Sequence, residues 1–123
     1  MYEVKIITRF SAAHQLRLYD GKYENLHGHN WGATVLVEAE GLDAMGVGID
    51  FVVLKKKVDA ILSKLDYQNI NEVPPFDKQN PSAENIARWL FQELNADIKT
   101  ETTRVKRVEI REMEDCGAAY YEK

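Results

Sequence analysis

Tyr2-Glu3-Val4-Lys5-Ile6-Ile7-Thr8-Arg9-Phe10-Ser11-Ala12-Ala13-His14 alternates along most of its length. Val4, Ile6, Thr8, Phe10, Ala12 and His14 share one parity, while Glu3, Lys5 and Arg9 share the other. Successive side chains of a strand point to opposite faces, so a period of two predicts a strand half-buried on a core, with His14 ending it on the apolar side. Residues 15–25 then turn polar around Asp20-Gly21, a turn dipeptide. A second strand is predicted over 27–40, where Trp31, Ala33, Val35 and Val37 continue the parity of His27 and His29. Gly41, Gly46 and Gly48 mark the connection after it.

Beyond residue 50 the period lengthens. The Asp50 carboxylate can accept the free N–H groups of a first helical turn, and Phe51, Leu54, Val58, Ile61, Leu62 and Leu65 recur at spacings of three and four. Asp66 to Gln79 reads as a loop, with Pro74-Pro75 excluding regular structure. A second helix is predicted to start near Asn80-Pro81, a capping residue followed by proline at the first helical position, with Ile86, Leu90, Phe91 and Leu94 as its core face. Residues 103–112 return to strand character with Val108 and Ile110 on one face, and 117–122 predict a short last strand. The order β-β-α-α-β-β describes an α+β fold: a four-stranded antiparallel sheet with two helices on one face. No repeat, low-complexity tract or boundary interrupts 1–123, so one domain is expected.

The bulk numbers exclude several function classes. The 123 residues suffice for one domain with a real core, and 45% hydrophobic with 29% charged residues is ordinary globular composition. A net charge of −4 gives no electrostatic case for nucleic acid or an anionic membrane as partner. No apolar run approaches the roughly 20 residues that cross a bilayer, and the N-terminus lacks the pattern of a secretory signal. Cys116 is the single cysteine, so no intrachain disulfide forms. A reduced, cytoplasmic protein is expected.

All three histidines fall within the first 29 residues. His27 and His29 are two apart on a predicted strand and face the same way. If the first two strands pair as a hairpin, the ends carrying His14 and His27 meet. Three imidazoles without a fourth protein ligand suit a tetrahedral zinc that keeps one position open, the catalytic arrangement. Histidines near turns are also ordinary polar residues, and pattern alone leaves both readings standing. Glu112 shares the parity of Val108 and Ile110, which points a carboxylate towards the apolar face, where it needs a donor partner. A strand that ends or bulges there leaves it solvated instead.

Phe10-Ser11-Ala12-Ala13-His14 followed by Leu26-His27-Gly28-His29-Asn30 resembles the 6-pyruvoyltetrahydropterin synthase superfamily, which includes the bacterial 6-carboxytetrahydropterin synthases. The resemblance runs on through Ile49-Asp50-Phe51, Leu65-Asp66, Asn80-Pro81-Ser82-Ala83-Glu84-Asn85 and the strand pair around Glu112. It implies the tunnelling fold, in which sheets join into a trimeric barrel and two trimers stack as a homohexamer. It implies zinc (Zn2+) on His14, His27 and His29, and 7,8-dihydroneopterin triphosphate as substrate, a reduced pterin whose side-chain hydroxyls meet the metal. Glu112 would hold the pterin ring through its exocyclic amine and adjacent N–H, and Ser82 would also contact the pterin.

The chain departs from the carboxytetrahydropterin pattern at two places. Tyr23 stands where that branch carries a catalytic cysteine, four residues before His27, and Tyr67 stands where a histidine follows Asp66. Cys116 does not match the nucleophile position. Glu24 instead resembles the superfamily's Glu-x-x-His-x-His variant, which releases 6-hydroxymethyl-7,8-dihydropterin for folate synthesis. The chemistry suits this residue set: Glu24 is a candidate carboxylate base beside a Lewis-acid metal, Tyr23 or Tyr67 is a candidate proton donor, and Asp66 is the member that remains of the carboxytetrahydropterin branch's Asp-His pair. By position alone, Glu24 in a polar loop reads as solvated. The leading expectation is therefore a zinc-dependent lyase. The alternatives are 6-carboxytetrahydropterin formation for queuosine synthesis or 6-pyruvoyltetrahydropterin formation, a non-catalytic pterin-binding paralogue, and a plain metal-binding α+β module. Trp31 and Trp89 read as core or interface, and Lys55-Lys56-Lys57 as the solvated side of the first helix.

Overall fold

The computed structural model describes all residues, 1–123. β1 spans Tyr2–His14, β2 His27–Ala39, α1 Phe51–Leu62, α2 Ala83–Ile98, β3 Thr103–Met113 and β4 Cys116–Tyr120, with a short 3-10 turn at Ile70–Glu72. The four strands form one antiparallel sheet in the order β1-β2-β3-β4. The alternation of β1 is realised as read: Ile6, Thr8, Phe10, Ala12 and His14 are buried, and Lys5, Ile7 and Arg9 are exposed. On β2 the inward row is Trp31, Ala33, Val35, Val37 and Ala39, all 0–1% exposed. Thr8, the polar member of the inward set on β1, donates its hydroxyl to Asp59 Oδ1 of α1 at 2.7 Å, so its burial leaves no unmet donor.

Both helices cover this inward face, and their buried residues join the sheet in one core. Asp50 caps α1 as its chemistry predicts, accepting from the N–H groups of Val52 and Val53 at 2.7 and 3.2 Å. Leu54, Val58 and Leu62 carry the core stripe, while Leu65 is buried just past the helix end. Phe51 departs from the expected stripe: it is 65% exposed, with Val52 and Val53 beside it. Helix α2 begins later than its sequence predicts. Ser82 is the cap, its Oγ accepting from Asn85 N–H at 3.1 Å, and Ala83 is the first helical residue. Asn80 and Pro81 are used elsewhere, as described below. The last strand likewise runs one residue earlier and stops at Tyr120, which packs on Phe91 of α2.

Two irregularities shape β3. Its register with β2 slips between Leu36 and Val37, where Val37 faces Val105 and Leu36 faces Arg107, leaving Lys106 as the extra residue. Its register with β4 slips again, since Arg111 faces Gly117 and Met113 faces Cys116, leaving Glu112 without a partner on β4. Bulges of this kind bend a strand and re-aim a side chain. No helix is long and apolar enough to cross a membrane.

Candidate functional site

The register of the first hairpin brings the histidines together. His14 pairs directly with His27, and Ala12 with His29, so the three imidazoles gather at the far end of the β1–β2 pair. Their ring centroids lie 4.7–5.3 Å apart, and one ligand nitrogen from each ring falls within 4.8 Å of the others. Trp31 forms the floor. It meets His14 and His29 edge-on at 4.7 and 5.1 Å and donates its indole N–H to Ala12 O at 3.1 Å.

Hydrogen bonding fixes the tautomers of two rings. His14 Nδ1 lies 2.7 Å from Pro81 O, and His27 Nδ1 lies 2.7 Å from Asn25 O. A carbonyl only accepts, so each Nδ1 carries the proton and each Nε2 keeps a lone pair. The Nε2 atoms of His14 and His29 are buried with no hydrogen-bond partner, a costly state for polar groups unless a further ligand completes them. Burial pushes His29 below the ordinary imidazole value, against the pull of Glu112 and with repulsion from His14 and His27 acting in the same direction as burial. Orphaned nitrogens, lone pairs fixed by backbone partners and a neutral ring describe a place for a divalent metal held by three nitrogens, and the residues fit such an ion.

The scaffold holding His14 is a strap along the open edge of β1. The N–H groups of Ser11, Ala13, Gln15 and Arg17 are accepted by Asp66 Oδ1, Gln68 O, Asn71 Oδ1 and Asn80 Oδ1 at 2.9, 3.0, 2.9 and 2.7 Å. The return bonds run from Tyr67 N–H to Ser11 O at 2.6 Å, from Asn71 Nδ2 to Gln15 O at 2.8 Å, and from Asn80 Nδ2 to Arg17 O at 3.1 Å. Segment 66–80 therefore acts as an added edge strand built largely from side chains, and it closes an edge that would otherwise be open. The Arg17 guanidinium ties the same loop from the other side, donating to Gln79 O and Phe76 O at 3.0 and 2.9 Å. Pro81, whose carbonyl orients His14, follows directly on Asn80.

The other sequence-predicted residues divide into those beside the imidazoles and those committed to the scaffold. Glu112, aimed inward from its bulge, places Oε1 3.8 Å from His14 Nε2 and Oε2 3.7 Å from His29 Nε2. Glu24 is half-buried rather than solvated: Oε1 accepts Leu16 N–H at 3.0 Å and stands 4.0 Å from His27 Nε2. Asp66 gives its carboxylate to Ser11 N–H, and Ser82 gives its oxygen to the α2 cap. Tyr23 is 59% exposed on a bridge with Arg17. Tyr67 is 85% exposed at a φ of +58°, a left-handed conformation uncommon outside glycine. It borders a cavity of about 510 Å³ shared with Ser11, His29, Asn30 and Gln68. Cys116 lies exposed at the start of β4, where the Asp115 carboxylate pushes its thiol up. The roles of Arg17, Asn80 and the Pro81 and Asn25 carbonyls escape sequence reasoning. Asn80-Pro81 carries the signal of a helix cap, and a backbone carbonyl carries no signal at all.

Residues 3–123 match the family described as 6-pyruvoyl tetrahydropterin synthase. The chain is 33% identical over 117 residues to a dihydroneopterin monophosphate aldolase of Pyrococcus furiosus, covering 94% of this chain and 95% of that one. It is 36% identical over 90 residues to a 6-carboxy-5,6,7,8-tetrahydropterin synthase of Synechocystis, covering 69% and 68%. In three dimensions it is similar to the 6-pyruvoyl tetrahydropterin synthase of Caenorhabditis elegans, with a TM-score of 0.84 at 24% identity over 99% and 96% of the two chains. These relatives are all pterin enzymes, and this chain belongs to the 6-pyruvoyl tetrahydropterin synthase family.

Proposed function

We propose that the protein is a zinc-dependent lyase that breaks the C1′–C2′ bond of a phosphorylated 7,8-dihydroneopterin and releases 6-hydroxymethyl-7,8-dihydropterin. The observation that carries this reading is Glu24, a half-buried carboxylate 4.0 Å from His27 Nε2, in a chain with tyrosines where a cysteine–histidine relay would stand. The Pyrococcus furiosus relative, matched over nearly its whole length and named an aldolase, supports it. That name also moves the expected substrate from the triphosphate to the monophosphate ester as the first to try.

His14, His27 and His29 would hold the ion, which supplies Lewis-acid polarisation of the side-chain hydroxyls. Glu24 removes the proton of the C2′ hydroxyl, C2′ becomes an aldehyde carbon, and the C1′–C2′ electron pair passes into the dihydropterin ring. A proton returned to C1′ completes the hydroxymethyl product, and glycolaldehyde phosphate leaves. The step balances without water, oxidant or reductant. Tyr67, or Tyr23, is the proton donor in this reading, and Asp66 acts through Ser11 by holding the segment that presents Tyr67. Glu112 holds the pterin amine and the neighbouring N–H. Because two fused rings separate that edge from the side chain, its carboxylate must turn outwards from His14 and His29 when the pterin is bound. Ser82 retains a hydroxyl proton for the ring.

A homohexamer, a dimer of trimers, belongs to the same reading. β1 before Ser11 and the whole of β4 are sheet edges that this chain leaves open. The test is a comparison of Glu24→Gln with the unaltered protein, both loaded with zinc and given 7,8-dihydroneopterin monophosphate. Glu24→Gln is expected to keep one metal per subunit and lose cleavage; cleavage at an unchanged rate would overturn the assignment.

A further inference from the structure

Register places two arginines on either side of one glycine. Gly32 of β2 faces Arg9 on β1 and Arg111 on β3, so the three form a single row across the sheet on the face away from the helices. Gly32 is needed for space rather than for backbone conformation. A Cβ there would fall 2.5 Å from one terminal nitrogen of Arg111 and 3.0 Å from both Cζ and Nε, so the guanidinium occupies the space that a side chain at this position would need. The other terminal nitrogen is fixed by Thr34 Oγ1 at 2.8 Å and Glu109 Oε1 at 2.6 Å. That pairing holds the planar fork in one orientation, while the edge over Gly32 has no acceptor in the chain. Arg9 is exposed, lines the cavity described next and makes neither a hydrogen bond nor an ion pair within the chain.

This row borders the imidazoles through a cavity of about 540 Å³. Arg9, Gly32 and Arg111 line it together with His29 and Glu112, and His29 is the one imidazole of the three that reaches it. Residues of both parities can share the cavity because β2 runs on past its last pairing with β3, at Gly32 and Arg111, leaving 27–31 as an open edge. Glu112 and Glu114 line it as well, and they set its limit: an anion is welcome beside the arginines and repelled beside the carboxylates.

We propose that Arg9 and Arg111, spaced by Gly32, form the subsite that binds the phosphate of the substrate ester. Resting on the lyase reading above, this names its specificity determinant. A ligand whose side-chain hydroxyls meet the imidazoles carries its phosphate away from the pterin ring, around the open edge of β2 and on to the two guanidiniums. Paired guanidiniums match phosphate oxygens with charge-assisted, geometrically directed hydrogen bonds. The lysines of α1 do not compete for this role: Lys55 and Lys57 are engaged by Asp59 and Asp97, and none of the three, Lys56 included, lines the cavity.

The experiment reads binding rather than turnover, so it stands apart from the fate of the retro-aldol assignment. Dissociation constants of 7,8-dihydroneopterin monophosphate and of unphosphorylated 7,8-dihydroneopterin are measured on the zinc-loaded protein, Arg9→Gln and Gly32→Val. Arg9→Gln should weaken the phosphate ester about tenfold to hundredfold and change the unphosphorylated pterin less than twofold. Gly32→Val, which displaces the Arg111 guanidinium, should do the same without removing a charge. Equal preference for the ester in all three proteins overturns the subsite. If neither pterin binds, the lyase reading falls, and inorganic triphosphate followed by 31P NMR decides the subsite: binding lost in Arg9→Gln supports it, and no binding to the unaltered protein overturns it.

Discussion

Asn80→Ala probes the claim that segment 66–80 positions the metal centre. Asn80 makes two bonds to the backbone of Arg17, at 2.7 and 3.1 Å, and precedes the carbonyl that orients His14. Each bond is partly buried and contributes about 1 kcal/mol, so the variant should lose about 1–3 kcal/mol of stability. At about 4 °C per kcal/mol for a chain of this size, the Tm of the metal-free protein falls by about 4–12 °C. The second consequence is specific to the site. Without the Asn80 side chain, Pro81 O is held less firmly against His14 Nδ1, and losing an outer partner of a ligating histidine outright typically costs about tenfold to hundredfold in metal affinity. The lower end applies, because Asn85 still holds the Asn80 carbonyl at 2.9 Å. The assay is competition for zinc against a chromophoric chelator, alongside the absorption spectrum of the cobalt-loaded protein. Ile98→Val serves as the control. It trims a buried methylene at the far end of α2, costs about 1 kcal/mol of stability and should leave zinc affinity alone. If Asn80→Ala lowers Tm as Ile98→Val does but binds zinc as tightly as the unaltered protein, the strap is scaffold only and the reasoning is refuted.

Three further outcomes follow from the geometry. His27→Ala removes one of three nitrogens and should leave well under one zinc per subunit by elemental analysis, whereas full occupancy would contradict the three-histidine centre. Trp31→Ala takes away the buried floor beneath His14 and His29 and should cost about 3–5 kcal/mol in denaturant unfolding of the metal-free protein; a change below 1 kcal/mol would contradict its place in the core. Cys116, whose thiol is pushed up by Asp115, should be alkylated by iodoacetamide at pH 8 more slowly than a free thiol, because less thiolate is present, and Asp115→Asn should speed the reaction. Equal rates in the two proteins would contradict the electrostatic cause.

The parts of the fold visible in the sequence are those governed by a repeating rule. Both long strands alternate, and their parity alone sets His14, His27 and His29 on one face with Trp31 beneath them. The Asp50 cap was equally plain, because a carboxylate before an apolar stripe satisfies the first turn whatever the surroundings. Asn80-Pro81 misled for an instructive reason. Its local chemistry suits a helix start, but the unpaired N–H and C=O of Arg17 bind the same amide, so the cap passes to Ser82. Phe51 was misplaced because the first residue of a helix lies beyond the sheet that the rest of the stripe covers. Glu112 depended on a bulge: parity pointed it inwards, and the extra residue in β3 frees it from β4 and turns it towards the imidazoles. The family was legible because both histidine motifs survive intact, and the match over residues 3–123 agrees. The arginine row was not legible, since Arg9, Gly32 and Arg111 are 23 and 79 residues apart and only the register aligns them.

The most direct test of the proposed function is the identity of the product. Zinc-loaded protein is incubated with 7,8-dihydroneopterin monophosphate, and the pterins are resolved by mass spectrometry. Equal amounts of 6-hydroxymethyl-7,8-dihydropterin and glycolaldehyde phosphate are the predicted result. A 6-carboxy or 6-pyruvoyl tetrahydropterin, or substrate recovered intact from the bound state, would contradict it.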